Sequence, residues 1–197
     1  MNNQCLPSLQ FEGPLWQSGL LHVAGLDEAG RGAWAGPVAA AVVILPPDDP
    51  TISNKLSAVR DSKLMSAKER SSWFDVIKNE ALYWGIGFAD NQEIDRLNIL
   101  RATRLAMLRA LERLPVSPQH LLIDALILRE LDLSQTALVK GDQLSLSTAA
   151  ASVLAKHARD CWMKEADTVH PGYGFSRHKG YGTAAHRGAI MTLGPCS

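Results

Sequence analysis

VAGLDEAGRGAWAGPVAAAVVIL, residues 23–45, is the segment from which the fold can be inferred. An apolar run ends in two adjacent acids, Asp27 and Glu28, and a second apolar run begins at Pro37. Between them lies Gly30-Arg31-Gly32. Two apolar runs separated by a glycine-containing loop predict two β-strands, at about 21–27 and 37–45. The acids and the glycine loop are therefore predicted to lie together at one end of a sheet.

The composition is that of a globular domain. The chain has 197 residues, 46% hydrophobic and 20% charged, with a net charge of zero. No apolar run approaches the ~20 residues that span a bilayer, and the first twenty residues lack the features of a signal peptide. Three widely spaced cysteines, Cys5, Cys161 and Cys196, argue against a disulfide framework or a zinc site. We therefore expect a cytoplasmic, monomeric protein with a polar lead at 1–20 and one domain at 21–197.

Helices and strands alternate after the first two strands. Ser66 and Glu69 have the spacing of a capping box and predict a helix from that point. The alanine-rich start of a later helix would let it approach a sheet closely. The predicted elements are strands at 81–88, 120–124 and 136–140 and helices at about 92–114, 147–164 and 183–192. This order predicts an α/β fold with a central mixed sheet flanked by helices and a small C-terminal helical segment.

Four acids follow predicted strands. Asp27 and Glu28 end the first strand, Asp124 ends a buried one, and Asp142 follows another. Each has an ordinary explanation as a turn former or helix cap, and for Asp142 alone a cap is the better explanation. Together at one sheet edge, however, four carboxylates would repel one another unless cations were bound. Oxygen ligands suit Mg²⁺ or Mn²⁺, and two such ions suit hydrolysis of a phosphodiester.

Other residues suit a nucleic-acid substrate. Gly30 and Gly32 would let the backbone approach a ligand, and Arg31 could bind phosphate. Residues 168–197 contain no Asp or Glu but several basic residues, with Tyr181 between two glycines. On charge alone this segment is better explained as a solvated basic tail than as a nucleic-acid surface. Tyr181 could stack on a nucleotide or pack on the core. Lys63 could contact phosphate, although by itself it reads as a loop lysine.

Six segments in order make the chain resemble the bacterial ribonuclease HII family, the type 2 ribonucleases H. They are GLDEAGRGAWAGPVAAAVV, DSKLMS, EIDRLNILRAT, LLIDAL, KGDQLSLSTAAASVLAKHARD and YGFSRHKGYGTAAHR. The resemblance runs from about Val23 to Leu193. It implies a ribonuclease H-like fold and two-metal hydrolysis of RNA in RNA–DNA hybrids or of ribonucleotides embedded in duplex DNA. The implied cut lies 5′ to the ribonucleotide and leaves a 3′-hydroxyl and a 5′-phosphate.

The resemblance also implies roles for individual residues. The metal-binding and catalytic acids of the family fall on Asp27, Glu28, Asp124 and Asp142. The family's glycine-arginine-glycine loop, which reads the 2′-hydroxyl, falls on Gly30, Arg31 and Gly32. Its junction-sensing tyrosine falls on Tyr181, and its DSK lysine on Lys63. Two positions depart from many relatives: Leu64 replaces a second lysine, and Thr148 replaces a bulky aliphatic residue.

Three rival interpretations have distinct signatures. A type 3 ribonuclease H would carry an additional N-terminal substrate-binding domain, for which about twenty residues before the first strand are too few. A non-catalytic hybrid-binding protein would be indicated by loss of an acid, but all four are present. A small-molecule phosphatase with the same metal chemistry would have no need of the basic segment around Tyr181.

Overall fold

A five-stranded mixed sheet forms the centre of the computed structural model, which describes residues 6–196. The strands are β1 (Val23–Ala29), β2 (Val38–Ile44), β3 (Tyr83–Ala89), β4 (His120–Asp124) and β5 (Gln135–Leu138). Their order across the sheet is β3-β2-β1-β4-β5. β1 pairs antiparallel with β2 and parallel with β4, and β4 pairs parallel with β5. The predicted α/β fold with a mixed sheet is confirmed.

Helices cover both faces of the sheet. They are α1 (Glu12–Gln17), α2 (Ile52–Lys55), α3 (Ala67–Glu80), α4 (Asn91–Leu97), α5 (Ile99–Leu111), α6 (Gly141–Leu144), α7 (Leu146–Val169), α8 (Phe175–His178) and α9 (Ala184–Leu193). One apolar core lies between the sheet and α7 with α3, and a second lies between the sheet and α5. Among the described residues, no helix is both long and apolar enough to cross a bilayer.

Local sequence signals account for most helix ends. The capping box at the start of α3 is present: Ser66 Oγ accepts the Glu69 N–H, and the Glu69 carboxylate accepts the Ser66 N–H. Ser145 caps α7 by accepting the Thr148 N–H. Thr183 caps α9 in the same way through the His186 N–H.

The single helix predicted at 92–114 is wrong, because two helices occupy this span. The break lies at Asn98, whose φ is 70°. Its side-chain oxygen accepts the N–H groups of Leu100 and Arg101 and so caps the second helix. An asparagine tolerates this backbone conformation better than most residues do. The periodicity of the apolar residues continues across the break and therefore gave no sign of it.

The polar lead predicted at 1–20 contains helix α1, which anchors itself to the domain. Glu12 is fully buried although it is an acid. Its carboxylate accepts hydrogen bonds from Ser145 Oγ (2.7 Å) and from the N–H (2.9 Å) and hydroxyl (2.6 Å) of Ser147. Because a buried carboxylate needs such partners, α1 is positioned against the start of α7. The short helices α2 and α8 lie in spans for which no helix was predicted.

Close backbone packing positions α7 on β1. Gly25 of β1 lies under the first turn of α7, and a Cβ there would collide with the backbone of Ser147 and Thr148. The neighbouring residues Ala149, Ala150 and Ala151 are fully buried. The expectation that small residues bring this helix close to the sheet is confirmed. Glycine is required here because of space, not because of its backbone angles.

Gly25→Ala is therefore expected to destabilise the fold. Forcing a methyl group between two packed backbones costs about 2–3 kcal/mol, at the upper end of overpacking effects. Urea unfolding followed by circular dichroism measures the change. Gly13→Ala in α1 is the matched control, because a Cβ there has open space and alanine favours a helix. An equal loss of stability in both variants would contradict the close-packing interpretation.

Candidate active site

The predicted acids come together at the carboxyl edge of the sheet. β1 and β4 are parallel neighbours, with Leu26 opposite Ile123, so the residues that follow these two, Asp27 and Asp124, lie side by side. Asp142 lies in α6, which follows β5 at the same edge. The carboxylates of Asp124 and Asp142 both raise the pKa of Asp27, which places all three within electrostatic reach of one another. The parallel arrangement of β1, β4 and β5 produces this edge.

Asp27 and Glu28 differ in their surroundings. Asp27 is 5% exposed, and burial, together with the neighbouring Glu28, raises its pKa well above the usual value. One of its oxygens accepts the Glu28 N–H at 2.7 Å. Burial also raises the pKa of Glu28, but Arg31 opposes this by donating to Glu28 Oε1 at 3.0 Å. Glu28 Oε2 is buried without a hydrogen-bond partner among the described residues.

Asp124 and Asp142 are joined through the segment that connects β5 to α6. Asp124 Oδ1 accepts the Gly141 N–H at 2.7 Å, which fixes the start of α6 against the end of β4. Asp142 is buried, and this burial, with Asp61 and Asp124 nearby, raises its pKa to about 6. Lys63 Nζ lies 4.0 Å from Asp142 Oδ2 and opposes the shift. Neutral pH therefore leaves a costly buried charge on Asp142.

The donor chemistry of these acids fits a hard divalent cation. Their oxygens are the ligands that Mg²⁺ and Mn²⁺ prefer, and Glu28 Oε2 is a buried acceptor with no hydrogen-bond partner among residues 6–196. As the side chains stand, however, no three His, Cys, Asp or Glu residues in the described part of the chain are arranged to hold one ion. Asp27, Glu28 and Asp124 each have an oxygen held by a hydrogen bond within the protein. Each of these carboxylates has a second oxygen, so ion binding would require the side chains to turn until those oxygens converge on the metal.

The glycine-arginine-glycine loop is shaped by Gly30 more than by Gly32. Gly30 has φ +110°, and a Cβ on it would collide with the side chain of Arg159. The Ala33 N–H donates to the Gly30 carbonyl at 3.1 Å and closes a turn. Gly32 is exposed and has open space beside it. A ligand could approach the backbone closely at this second glycine.

Tyr181 and the glycine loop belong to one connected surface. The N–H groups of Trp34 and Ala35 both donate to the Gly180 carbonyl, and the Trp34 indole lies directly against Gly182. The half-buried Tyr181 ring has Lys156 Nζ and Arg159 Cζ each 5.4 Å from its centroid. The two predicted recognition elements, far apart in sequence, are thus held side by side.

Arg159 joins the two elements and was missed by the sequence analysis. It is fully buried in α7. Its guanidinium donates to the carbonyls of Pro37 (2.8 Å), Ala35 (3.0 Å) and Lys179 (2.9 Å). A buried arginine that satisfies backbone carbonyls from two loops fixes their relative position. No local pattern distinguishes it, because Lys156, His157 and Asp160 beside it are polar as well.

Lys63 and Leu64 lie together at the surface, whereas Thr148 is buried. Lys63 and Leu64 lie in a 3₁₀ turn at Ser62–Leu64, begun by Asp61, whose carboxylate accepts the Lys63 N–H at 2.9 Å. Lys63 and Leu64 are both exposed. Thr148 is fully buried, and its hydroxyl oxygen lies 3.0 Å from Ser145 Oγ. The threonine is therefore accommodated in the helix cap.

Known proteins resemble the chain in both sequence and structure. The family model described as Ribonuclease HII matches residues 24–197. Ribonuclease HII of Synechococcus sp. (strain JA-3-3Ab) is 54% identical over 190 residues, 96% of this chain and 84% of that protein. The ribonuclease H2 of Pyrococcus horikoshii OT3 superposes with a TM-score of 0.71 at 24% identity, covering 89% of this chain and 90% of its own. Bst-RNase HIII, solved in complex with Mn²⁺, gives 0.64 at 19% identity, covering 89% of this chain and 63% of its own.

The raised pKa of Asp142 predicts a pH-dependent stability. A carboxyl group with a pKa of about 6 when folded and about 3.9 when unfolded binds more protons in the folded state between these values. Stability should therefore fall as the pH rises from about 4 to 6. Asp142→Asn removes this fall and should raise the free energy of unfolding at pH 7.5 by about 1–3 kcal/mol.

Urea unfolding in EDTA at several pH values measures this difference. The gain should disappear near pH 4, where both Asp142 and its replacement are neutral. Asp132→Asn is the control, since Asp132 is exposed. A gain at pH 7.5 that persists undiminished at pH 4 would show that burial of the charge is not its cause.

Proposed function

Because the chain belongs to the ribonuclease HII family of endonucleases, we propose that Asp27, Glu28, Asp124 and Asp142 form its catalytic centre. The observation that carries the proposal is the gathering of buried acids with raised pKa values at the carboxyl edge of the sheet. Acids that remain buried without full neutralisation reduce stability and are typical of functional sites. The enzyme hydrolyses a phosphodiester 5′ to a ribonucleotide and leaves a 3′-hydroxyl and a 5′-phosphate.

The four acids would hold Mg²⁺ or Mn²⁺, the cations that suit their oxygen donors. Two divalent ions bound there would supply the charge that activates water and stabilises the leaving oxygen. Bst-RNase HIII, which has the same fold, was solved in complex with Mn²⁺. Arg31 and Lys63 lie 3.0 Å from Glu28 and 4.0 Å from Asp142, so cations that neutralise these acids would leave both side chains available for substrate phosphates.

Recognition of the ribonucleotide is assigned to the glycine loop and Tyr181. The exposed backbone at Gly32 can approach the 2′-hydroxyl, the group that distinguishes RNA from DNA. Tyr181 lies beside this loop because Gly180 accepts the N–H groups of Trp34 and Ala35. The Tyr181 ring would pack against the nucleotide beside the scissile bond. The substrates are accordingly RNA–DNA hybrids and DNA duplexes that contain ribonucleotides.

The biological role follows from that specificity. Removal of misincorporated ribonucleotides and of RNA primers both require a cut at a ribonucleotide in a duplex. We place the enzyme in the cytoplasm as a monomer. Cys161 and Cys196 are free thiols, which fits a reducing compartment; Cys5 lies outside the described residues.

Of the rival functions, the non-catalytic and phosphatase interpretations receive no support from the geometry. All four acids lie at the carboxyl edge of the sheet, and the basic C-terminal segment carrying Tyr181 is fastened to the glycine loop. A type 3 ribonuclease H has the same chain path, but the matching family model is that of ribonuclease HII. The enzyme should therefore cut at a single ribonucleotide and not need a continuous hybrid.

Asp27→Asn and Asp124→Asn should each abolish cleavage while binding of the duplex persists. Loss of one carboxylate removes a ligand for the metal ions but leaves the phosphate-binding surface in place. The assay is cleavage of a labelled DNA duplex with one ribonucleotide in Mg²⁺, Mn²⁺ or EDTA, with binding measured in EDTA. Asp132→Asn should cut at the wild-type rate. A near-wild-type rate in either active-site variant would refute the catalytic assignment.

Tyr181→Ala should reduce cleavage of the single-ribonucleotide duplex by about tenfold or more and that of a long RNA–DNA hybrid much less. Recognition of a single junction between ribose and deoxyribose depends on the Tyr181 ring, whereas a continuous hybrid offers many equivalent cleavage sites. A stacked aromatic contributes about 1–3 kcal/mol, which sets the size of the effect. Tyr181→Phe keeps the ring and should behave nearly as wild type. Equal losses on both substrates would contradict the junction role.

A further inference from the structure

A cavity lined by three arginines lies beside the acidic centre. It has a volume of about 370 Å³ and is formed by the loop after β1, the segment after β4 and the first half of α5. The cationic side chains are Arg31, Arg104 and Arg129. The apolar part of the wall includes Leu100, Leu126 and Ile127. We name this feature the arginine cavity, and none of the roles assigned above accounts for Arg104 or Arg129.

The wall of the arginine cavity carries three guanidinium groups, of which only two have a carboxylate within 4 Å among the described residues. Arg31 is paired with Glu28 at 3.0 Å. Arg104 lies 3.7 Å from Glu130, a long and partly exposed contact. Within the described residues, no carboxylate lies within 4 Å of the exposed Arg129. Three guanidinium groups around one space repel one another, so an anion bound between them would be favoured.

One donor in the cavity wall lacks a partner. Arg104 Nε is buried and makes no hydrogen bond with the described residues. Buried N–H groups are nearly always paired, and an unpaired one costs free energy. An acceptor entering the arginine cavity could satisfy this donor. Phosphate oxygens match the planar, multidentate geometry of guanidinium groups better than a halide or a single carbonyl does.

The arginine cavity is continuous with the site proposed for the chemistry. Arg31 belongs to both, because it pairs with Glu28 and also lines the cavity. Ala125, which directly follows Asp124, forms another part of the wall. The glycine loop that carries Arg31 is also held to the Tyr181 segment, because Arg159 donates to the carbonyls of Pro37, Ala35 and Lys179. A duplex centred on the acids would therefore lie against the arginine cavity as well as against the Tyr181 segment.

We propose that the arginine cavity binds a phosphodiester group of the substrate duplex within a few nucleotides of the ribonucleotide. Arg104 and Arg129 hold this phosphate together with Arg31, and the site fixes the register of the duplex without reading its sequence. This inference rests on the proposed function, since it assumes that a nucleic-acid duplex occupies the acidic centre. It adds a phosphate-binding site to the contacts already proposed for the acids, the glycine loop and Tyr181.

The first test measures the salt dependence of binding. A labelled DNA duplex with one ribonucleotide is titrated in EDTA with wild type, Arg104→Gln, Arg129→Gln and the double variant. Each phosphate contact contributes about 0.9 to the slope of log affinity against log salt concentration. The double variant should lower the slope by about 1 and raise Kd about tenfold at ~0.1 M salt, with each single variant between.

Arg113→Gln is the matched control for charge. Arg113 follows the C-terminal end of α5, about 13 Å along the helix from Arg104, and is exposed. This substitution removes the same charge and should leave the slope unchanged. Arg129 is also exposed, so Arg129→Gln tests the cavity even if Arg104→Gln reduces the melting temperature. Equal slopes for wild type and the double variant would overturn the proposal, as would an equal reduction in Arg113→Gln.

The second test locates the phosphate. Single phosphodiesters near the ribonucleotide are replaced by neutral methylphosphonates, one position at a time on both strands. At one or two positions the replacement should weaken binding by wild type about tenfold but cause no further loss in the double variant. Such non-additivity identifies groups that contact each other. Full additivity at every position would overturn the proposal.

Failure of this inference is distinguishable from failure of the proposed function. If wild type cuts 5′ to the ribonucleotide in Mg²⁺ or Mn²⁺ while the double variant binds with an unchanged slope, the function stands and the cavity assignment falls. If folded wild type neither binds nor cuts the duplex, the proposed function falls and the inference falls with it.

Discussion

The packing of α7 on β1 is the contact on which the rest of the structure depends. At Gly25 the two backbones touch without an intervening side chain, and the alanines that follow keep the helix close to the sheet. Because α7 is a rigid helix, this close packing fixes the position of its whole length. The same contact therefore positions Ser145 beside Glu12 at one end and, about 20 Å farther along, Arg159 beneath the two recognition loops.

The acids at the carboxyl edge of the sheet concentrate negative charge, and this lowers the stability of the fold. Asp27, Glu28 and Asp142 have raised pKa values mainly because they are buried. Arg31 and Lys63 reduce the repulsion from one side without entering the centre of the group. A core optimised for stability alone would not keep these acids. Their retention at a strand edge, under a surface held together by Arg159, is expected where binding of cations and substrate supplies the missing neutralisation.

Sequence patterns predicted the parts of this arrangement that arise locally. The strands β1 and β2, the capped start of α3 and the small residues of α7 each have signals within a few residues. The grouping of the acids was expected because each of them follows a predicted strand. The break at Asn98 was missed because the apolar period continues through it. Glu12 and Arg159 were missed for another reason: all but one of the partners named for them lie more than 120 residues away, so no local pattern reveals that either is buried.

The net charge of zero concealed the electrostatic design for a similar reason. At physiological ionic strength, charges influence one another over about 8 Å, so a bound duplex responds to each surface separately and not to the sum over the chain. The acids lie buried or half-buried at the sheet edge, whereas Arg31, Arg104 and Arg129 line the neighbouring cavity. The segment 168–197, which Arg159 holds to the glycine loop, contains no acid at all. Charges that cancel in the total are thus separated within the structure, and the proposed binding of phosphates beside the acids depends on that separation.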